Sequence, residues 1–301
     1  MKVYARVFAE RPKGTVMYHS KNLEIHIVDH CNLDCVGCSH ESPLMARRFE
    51  NPDRIGRALS RLWEYYETPL LNLLGGEPLM HPSIGEIISI AKAVTQTRLR
   101  VVTNGTLLGR RYHNLLGIDE IHISAYPEAQ IPGDEELLSI AKDLVASVTI
   151  QTFDYFRWHR SLPRNNPGLT EQVFTTCQLY HVWQCHTLRD GWFYPCSPAA
   201  TWGSQNGDGV DLLTTDSTVE EKLQQLLTRK TPLASCNECL GSIGQRFPHH
   251  FGWRGSRESP AGSGLDLEFM RDLVLASDAH NECFEYIRTI HPSGHVEIYK
   301  R

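Results

Sequence analysis

The chain has 301 residues, 41% of them hydrophobic and 22% charged, with a formal net charge of −5. That length suits one large domain, or one with a small appendage. The mild, scattered acidity excludes the basic stripe of a nucleic-acid binder or of a protein held on an anionic membrane. No apolar run approaches the about 18–20 residues that span a bilayer, and the opening MKVYARVFAERPKGT lacks an apolar signal core. A cytoplasmic protein is therefore expected, in a reducing setting where its nine cysteines form no disulfide framework.

The first strand, with Leu23, Ile25 and Ile27 alternating against more polar neighbours, leads into a loop carrying Cys31, Cys35 and Cys38 at C-x-x-x-C-x-x-C spacing. A cubane iron–sulfur cluster takes one thiolate per iron, so three cysteines leave one iron open to a chelating small molecule. Structural zinc prefers four ligands on two knuckles; His30 and His40 flank the triplet and are the residues that would complete such a site.

Asn51, Pro52 and Asp53 then start a helix running to about Tyr66, with Ile55, Leu59, Leu62 and Trp63 at helical spacing. A buried strand, PLLNLLGGEP, follows. The alternation continues with a helix from Pro82 to Thr95, a strand LRVVTNG, a short helix from Leu107 to Leu116, a strand IDEIHISAY, a helix GDEELLSIAKDLVA and a strand SVTIQTF. Strands alternating with helices of about 10–15 residues predict a parallel sheet of βα units. The economical closure is an α/β partial (β/α)6 barrel of the TIM type, its chemistry at the C-terminal strand ends.

The cysteine triplet, followed at the next strand end by Gly75-Gly76-Glu77-Pro78, resembles the signature of the radical S-adenosylmethionine (radical SAM) superfamily. That resemblance implies a 4Fe–4S cluster on Cys31, Cys35 and Cys38, with SAM chelated at the open iron and an electron donor such as flavodoxin or ferredoxin. It implies SAM-binding roles for Gly75, Gly76, Glu77 and Pro78, whose glycines admit a close backbone approach to a ligand. Asn104, beside Thr103 and Gly105, and Ser124 match strand-end positions that contact SAM's carboxylate or ribose. Many members carry an aromatic residue just before the third cysteine to pack on adenine, where this chain has Gly37.

Beyond about residue 165 a second cysteine group begins. Cys177, Cys185, Cys196, Cys236 and Cys239 surround a hairpin, QCHTLRDGWFYPC with Asp190-Gly191 at its turn, and a helix, TVEEKLQQLLTRK. The layout resembles the Twitch or SPASM auxiliary-cluster module, implying a second 4Fe–4S cluster. Five cysteines compete for its four places. Cys196, Cys236 and Cys239 are expected ligands; Cys177 fits the usual distance ahead of the hairpin, and Cys185 lies nearly opposite Cys196 across it. The fifth would be a thiol near the substrate, so Cys177 and Cys185 are also the candidate catalytic cysteines. A zinc ribbon is the alternative use of the same spacing.

The stretch 241–264, including Phe247-Pro248-His249-His250-Phe251, reads as a solvated loop or a substrate lid. A helix from Leu265 to Arg288, with Cys283 in its core face, and a closing strand HVEIYK complete the chain. The expected units are a barrel over 1–165, an auxiliary module over 166–264 and a terminal helix and strand over 265–301.

The resemblance implies a radical generator that takes hydrogen from a carbinol carbon of a sugar, aminocyclitol or oligosaccharide, ending in dehydrogenation or epimerization in antibiotic biosynthesis. Only about 20 residues precede the first strand, whereas peptide-modifying members often carry a leader-binding domain there; a small free substrate is expected over a ribosomally made peptide. A zinc-binding scaffold without turnover is the non-enzyme alternative.

Overall fold

The computed structural model describes residues 17–157, 159, 168–202, 207–215, 217–242, 244, 246–252 and 286–300. Its first half comprises β1 (Tyr18–His19), β2 (Leu23–Val28), α1 (Pro52–Leu62), β3 (Tyr66–Glu67), β4 (Leu70–Gly75), α2 (Ile84–Thr95), β5 (Arg98–Thr103), α3 (Leu108–Arg111), β6 (Glu120–Ala125), α4 (Asp134–Leu144) and β7 (Ser147–Thr152). Then come β8 (Tyr155–Arg157), α5 (Thr170–Thr176), α6 (Gln178–His181), β9 (His186–Arg189), β10 (Trp192–Tyr194), α7 (Ser197–Trp202), β11 (Val210–Asp211), α8 (Val219–Thr228), β12 (Arg246–Pro248), β13 (Tyr286–Ile290) and β14 (Val296–Lys300).

The local signals act as their chemistry requires. The Asn51 side chain accepts the Arg54 N–H at 3.1 Å and Pro52 occupies the first helical position, so α1 starts where its cap dictates. Asp190 and Gly191 both take positive φ, 55° and 80°, in a two-residue turn that pairs Arg189 with Trp192. This is the turn whose twist matches antiparallel strands.

Ten strands form one sheet in the order β11-β10-β9-β2-β4-β5-β6-β7-β13-β14. The run β2 to β7 is parallel with helical crossovers. Leu23, Ile25, Leu71, Leu73, Leu99, Val101, Ile121, Ile123 and Val148 alternate onto the face that packs against the helices, where burial is complete. Their neighbours Leu74, Val102, Asn104 and Ser124 point to the opposite face and line a cavity.

Two details depart from six successive βα units. The sixth parallel strand, β9, pairs with β2 on the other edge of the sheet. The place beside β7 is taken by β13, which is antiparallel. Among the described residues no pairing joins β11 to β14, so the sheet is open. The expected terminal helix from Leu265 lies outside the described residues, as does Cys283, except that 286–288 belong to strand β13 instead. There Tyr286 and Arg288 pair with Lys300 and Ile298, and the closing strand is β14.

The join between the β9–β10 hairpin and the barrel is electrostatic as well as hydrogen-bonded. Asp29, just past β2, accepts from Arg48 Nε at 2.5 Å and from Arg189 Nη2 at 2.8 Å. Against burial, which raises it, the His26 imidazole at 3.5 Å and these two guanidinium groups together hold its carboxyl well below the usual carboxylate range. Arg189 also donates to Ala200 O at 2.9 Å, and Arg48 Nη1 reaches Asp190 at 3.1 Å.

Asp29→Ala leaves Arg189, whose side chain is 11% exposed, without its carboxylate. Loss of about 3 kcal/mol of stability is expected in denaturant titration. Arg54→Ala removes a half-exposed partner of Asp190 that also reaches Glu50 at 3.8 Å and, because Arg48 still pairs with both carboxylates, should cost about 1 kcal/mol. Equal losses would show that the hairpin junction is not held by Asp29.

Candidate functional site

The C-terminal ends of β2, β4, β5 and β6 converge on one cavity of about 560 Å³. Its wall includes Cys31, Cys35 and Cys38 from the loop after β2, Gly75 and Gly76, Thr103 and Asn104, and Ser124. The volume is that of a site for a single small ligand or cofactor assembly.

A register shift between His26 and Val28 in the β2–β4 pairing bends the end of β2 just before the cysteines. Gly76 N–H donates to Val28 O at 2.7 Å, and Glu77 N–H to His30 O at 3.2 Å. This explains the glycine pair in a way the sequence did not disclose. A Cβ on Gly75 would lie 2.2 Å from Val28 O, and one on Gly76 2.0 Å from His30 O and 2.9 Å from Cys31 N. The glycines admit the backbone of the cysteine loop itself.

Glu77 was expected to face SAM, but its side chain is fully buried and absent from the cavity wall. It accepts from Thr103 Oγ1 at 2.6 Å, Asn104 N at 2.9 Å and Leu79 N at 2.9 Å, so it pins the β5 loop to the β4 loop. Burial pushes its carboxyl up to about 7, against the pull of those donors. Pro78 starts a short 3₁₀ turn and does not line the cavity either.

Asn104 lines the cavity and also ties down the cysteine loop. Its Nδ2 donates to Asn32 Oδ1 at 3.0 Å and to Cys31 Sγ at 3.6 Å, while Asn32 Nδ2 donates to Thr106 Oγ1 at 2.8 Å. Leu33 N–H donates to Cys31 Sγ at 3.4 Å. Asn32 and Thr106 were not read from the sequence; polar loop residues of this kind carry no signal until their partners are known.

Burial pushes Cys31 up to about 12 and raises Cys35 and Cys38 as well, and repulsion between thiolates adds to it at Cys31 and Cys35. Such thiols become stable thiolates only against an electropositive centre. Among the described residues no three His, Cys, Asp or Glu side chains are grouped to hold a metal ion. A cubane asks less, since each thiolate need reach only its own iron.

In the second group Cys196 lies within electrostatic reach of Cys177, Cys239 and Cys236, and burial pushes all four up. Gly241 N–H donates to Cys239 Sγ at 3.1 Å, and a Cβ on Gly241 would lie 3.5 Å from Cys177 Sγ. Cys185 stands apart: the charges felt by its thiol are Glu24 and Cys177, not Cys196. The hairpin pairing closes at Thr187–Tyr194, two residues before it would bring 185 and 196 level. Neither Cys177 nor Cys185 lines the cavity, so the structure does not bring the two candidate catalytic thiols to it.

His40, read from the sequence only as a possible zinc ligand, lines the wall, and several other wall residues escaped sequence reasoning: Tyr126, Phe153, Phe156, Arg157, His159 and Trp183. Tyr126 was the most legible of them, standing directly after a strand end. The stretch 247–251, expected to be a solvated loop or lid, is instead docked. β12 pairs with β8, Val36 N–H donates to His250 O at 3.0 Å, and Phe251 bridges to Cys35.

Residues 25–126 match the family described as the Radical SAM superfamily, which binds a 4Fe–4S cluster and SAM. A probable GTP 3′,8-cyclase of Pyrococcus horikoshii is 34% identical over 105 residues, covering 34% of this chain and 33% of the relative. The GTP 3′,8-cyclase of Chlorobaculum tepidum is 32% identical over 122 residues, 39% and 35% of the two chains. The chain thus spans about a third of the length of the curated relatives it matches. Among solved structures, BtrN in complex with AdoMet and 2-DOIA is 13% identical, with a TM-score of 0.43 over 71% of this chain and 84% of that one. Streptococcus suis SuiB is 12% identical, with a TM-score of 0.35 over 72% and 67%. No helix among the described residues is long and apolar enough to cross a membrane.

Two outcomes are expected of this geometry. Gly76→Val should lower iron uptake as well as SAM binding, because the branched side chain meets the backbone of the cysteine loop; full iron content in that variant would show that the loop yields. At the foot of β2, burial pushes Glu24 up to about 7, so the folded form loses stability as pH rises from the unfolded value of 4.5 through 7. Glu24→Gln, which does not titrate, should gain about 1–2 kcal/mol over the native protein between pH 5 and pH 8. A pH-independent difference in melting would contradict it.

Proposed function

We propose that this chain, a radical SAM protein in its residues 25–126, takes a hydrogen atom from a carbinol carbon of a small hydroxylated molecule such as a sugar, aminocyclitol or oligosaccharide. The observation that carries the reading is the convergence of Cys31, Cys35 and Cys38 with Gly75, Gly76, Asn104 and Ser124 on one cavity. The chemistry the bound groups supply is reductive cleavage of SAM, leaving a carbon radical able to break an unactivated C–H bond.

The residues of the chain do the rest. Cys31, Cys35 and Cys38 hold three irons and leave one open. The Gly75–Gly76 strip and the β5 end, locked together by Glu77, offer backbone groups and the Asn104 amide to the methionyl end of SAM, and Ser124 offers a hydroxyl to its carboxylate or ribose. Leu74, Val102 and the aromatic side chains keep water from the reacting carbon.

Dehydrogenation is the favoured outcome. The substrate loses one hydrogen atom, then a proton from its hydroxyl and one further electron, giving a ketone for each SAM consumed. Cys177, Cys196, Cys236 and Cys239 are the proposed ligands of an auxiliary 4Fe–4S cluster that accepts that electron; a flavodoxin- or ferredoxin-like donor supplies the electron that cleaves SAM. Epimerization needs a thiol at the cavity, and neither Cys177 nor Cys185 is on its described wall. No Asp or Glu is among the described lining residues, and Arg157 brings a guanidinium. Neutral hydroxyl-rich substrates therefore suit the described wall better than polycationic aminocyclitols.

The test is anaerobic reconstitution of the native protein and of the Cys31/Cys35/Cys38→Ala variant. Loss of 5′-deoxyadenosine formation, with about four irons retained on the remaining cysteines, is expected. Retained SAM cleavage in that variant would sink the reading, as would colourless, zinc-loaded native protein. Turnover of GTP or of a peptide, with no ketone formed from a panel of neutral sugars, would move the substrate class while leaving the chemistry.

A further inference from the structure

The residues between the three thiols, Asn32 to Gly37, include no aromatic side chain. A SAM molecule chelated at the open iron carries a flat purine at its far end, and a purine removed from water is best covered by a stacked ring. The cavity wall supplies a ring system that is built onto the cysteine loop from outside it.

Tyr126, just past β6, is on that wall. It stacks on His249 at 4.7 Å with an interplanar angle of 8°, meets Phe156 edge-on at 5.4 Å and lies 6.1 Å from Phe153. His249, 8% exposed, in turn meets Phe251 edge-on at 4.8 Å, and Phe251 bridges to Cys35. Both ring nitrogens of His249 are buried without hydrogen-bond partners, and burial lowers it to about 4. It is therefore a neutral slab at neutral pH. Trp183 and Tyr155 also line the cavity; Tyr126 is the wall ring that stacks face to face on His249, beside the Phe251 segment that bridges to Cys35.

We propose that Tyr126, backed by His249 and Phe156, is the wall on which the purine of bound SAM packs. The inference rests on the radical SAM reading and adds to it a binding residue outside the glycine strip and the strand-end polar groups. The stacked histidine is a positioning residue: it fixes the plane of the tyrosine ring and, through Phe251, the distance of that ring from the cysteine loop.

The experiment uses anaerobically reconstituted full-length protein, with SAM affinity from calorimetry and the response of the reduced-cluster EPR signal to SAM and to methionine. Tyr126→Leu is expected to bind SAM about tenfold more weakly. Its response to methionine, which lacks the purine, should match that of the native protein. Tyr126→Phe keeps the ring and should bind SAM within about twofold of native. Unchanged SAM affinity in Tyr126→Leu overturns the inference and assigns the ring to the substrate. Equal losses in the Leu and Phe variants overturn it too, because the hydroxyl would then be the group at work. Should Tyr126→Leu fail to take up iron, His249→Leu must show the same selective loss for SAM, and native affinity there overturns the proposal. Native protein with an intact cluster and no response to SAM would remove the radical SAM reading itself.

Discussion

The carboxylate of Asp29 joins the segment after the first cysteine loop to the strand before the second, through Arg48 and Arg189. Burial of a lone carboxylate is unfavourable, and Asp29 is tolerated because Arg48, Arg189 and the His26 imidazole converge on it. Arg48 follows the cysteine loop and Arg189 ends β9, so one buried charge fixes the root of the first thiol loop against the hairpin that introduces Cys196. Arg189 continues to the Ala200 carbonyl in α7, the helix directly after Cys196. The hairpin strand β9 lies parallel to β2 in the same sheet, so hydrogen bonding and ion pairing specify one placement. Because the titrating group is a carboxylate held below its usual range, this joint is strongest above the unfolded carboxylate pKa and weakens as pH falls.

A second constraint acts on the other side of the cysteine loop. The β4 glycines come so close to Val28, His30 and Cys31 that no side chain fits between them. Glu77 then carries that fixed position to β5 through Thr103 and Asn104. Asn104 returns to the loop by way of Asn32 and Cys31. The Cys31 thiol is thus held by a closed circuit of backbone and amide contacts supplied by the chain itself. Preorganisation of this kind lowers the ordering cost of assembling a ligand site.

The regular part of the fold was legible because its signals are local. Alternation at Leu23, Ile25 and Ile27, the Asn51-Pro52 cap and the Asp190-Gly191 turn each determine their own few residues. Strand order was not legible to the same degree. Nothing near His186 announces that its strand will pair with β2, and nothing in the tail announces that Arg288 belongs to an antiparallel strand beside β7. Those outcomes depend on which edge is left open after the five-strand parallel run forms. The candidate site divides in the same way. The three thiols and the glycine pair stand out by spacing at successive strand ends, whereas the contacts of Glu77 depended on where the β5 loop lay; the ligand contact expected of it came from the resemblance of GGEP to a family motif.

The docked stretch 246–252 shows how a polar, histidine-rich segment becomes part of a wall. Phe247, His249 and Phe251 alternate along it, and β8 opposite carries Tyr155 and Phe156. The pairing of Phe156 with Phe247 places rings on both strands of a short ribbon. Its backbone joins the cysteine loop at Val36, Cys35 and Asp34 through His250, Phe251 and Gly252. Between its cysteines the loop has two apolar side chains, Leu33 and Val36, beside Asn32, Asp34 and Gly37, which leaves it little apolar surface with which to order itself. Here an adjacent ribbon supplies the missing aromatic surface and uses the loop's own backbone groups as its anchor. The rings at Tyr126 and the backbone of the cysteine loop consequently meet through a few residues, His249, Phe251 and Cys35, that lie outside the parallel strands.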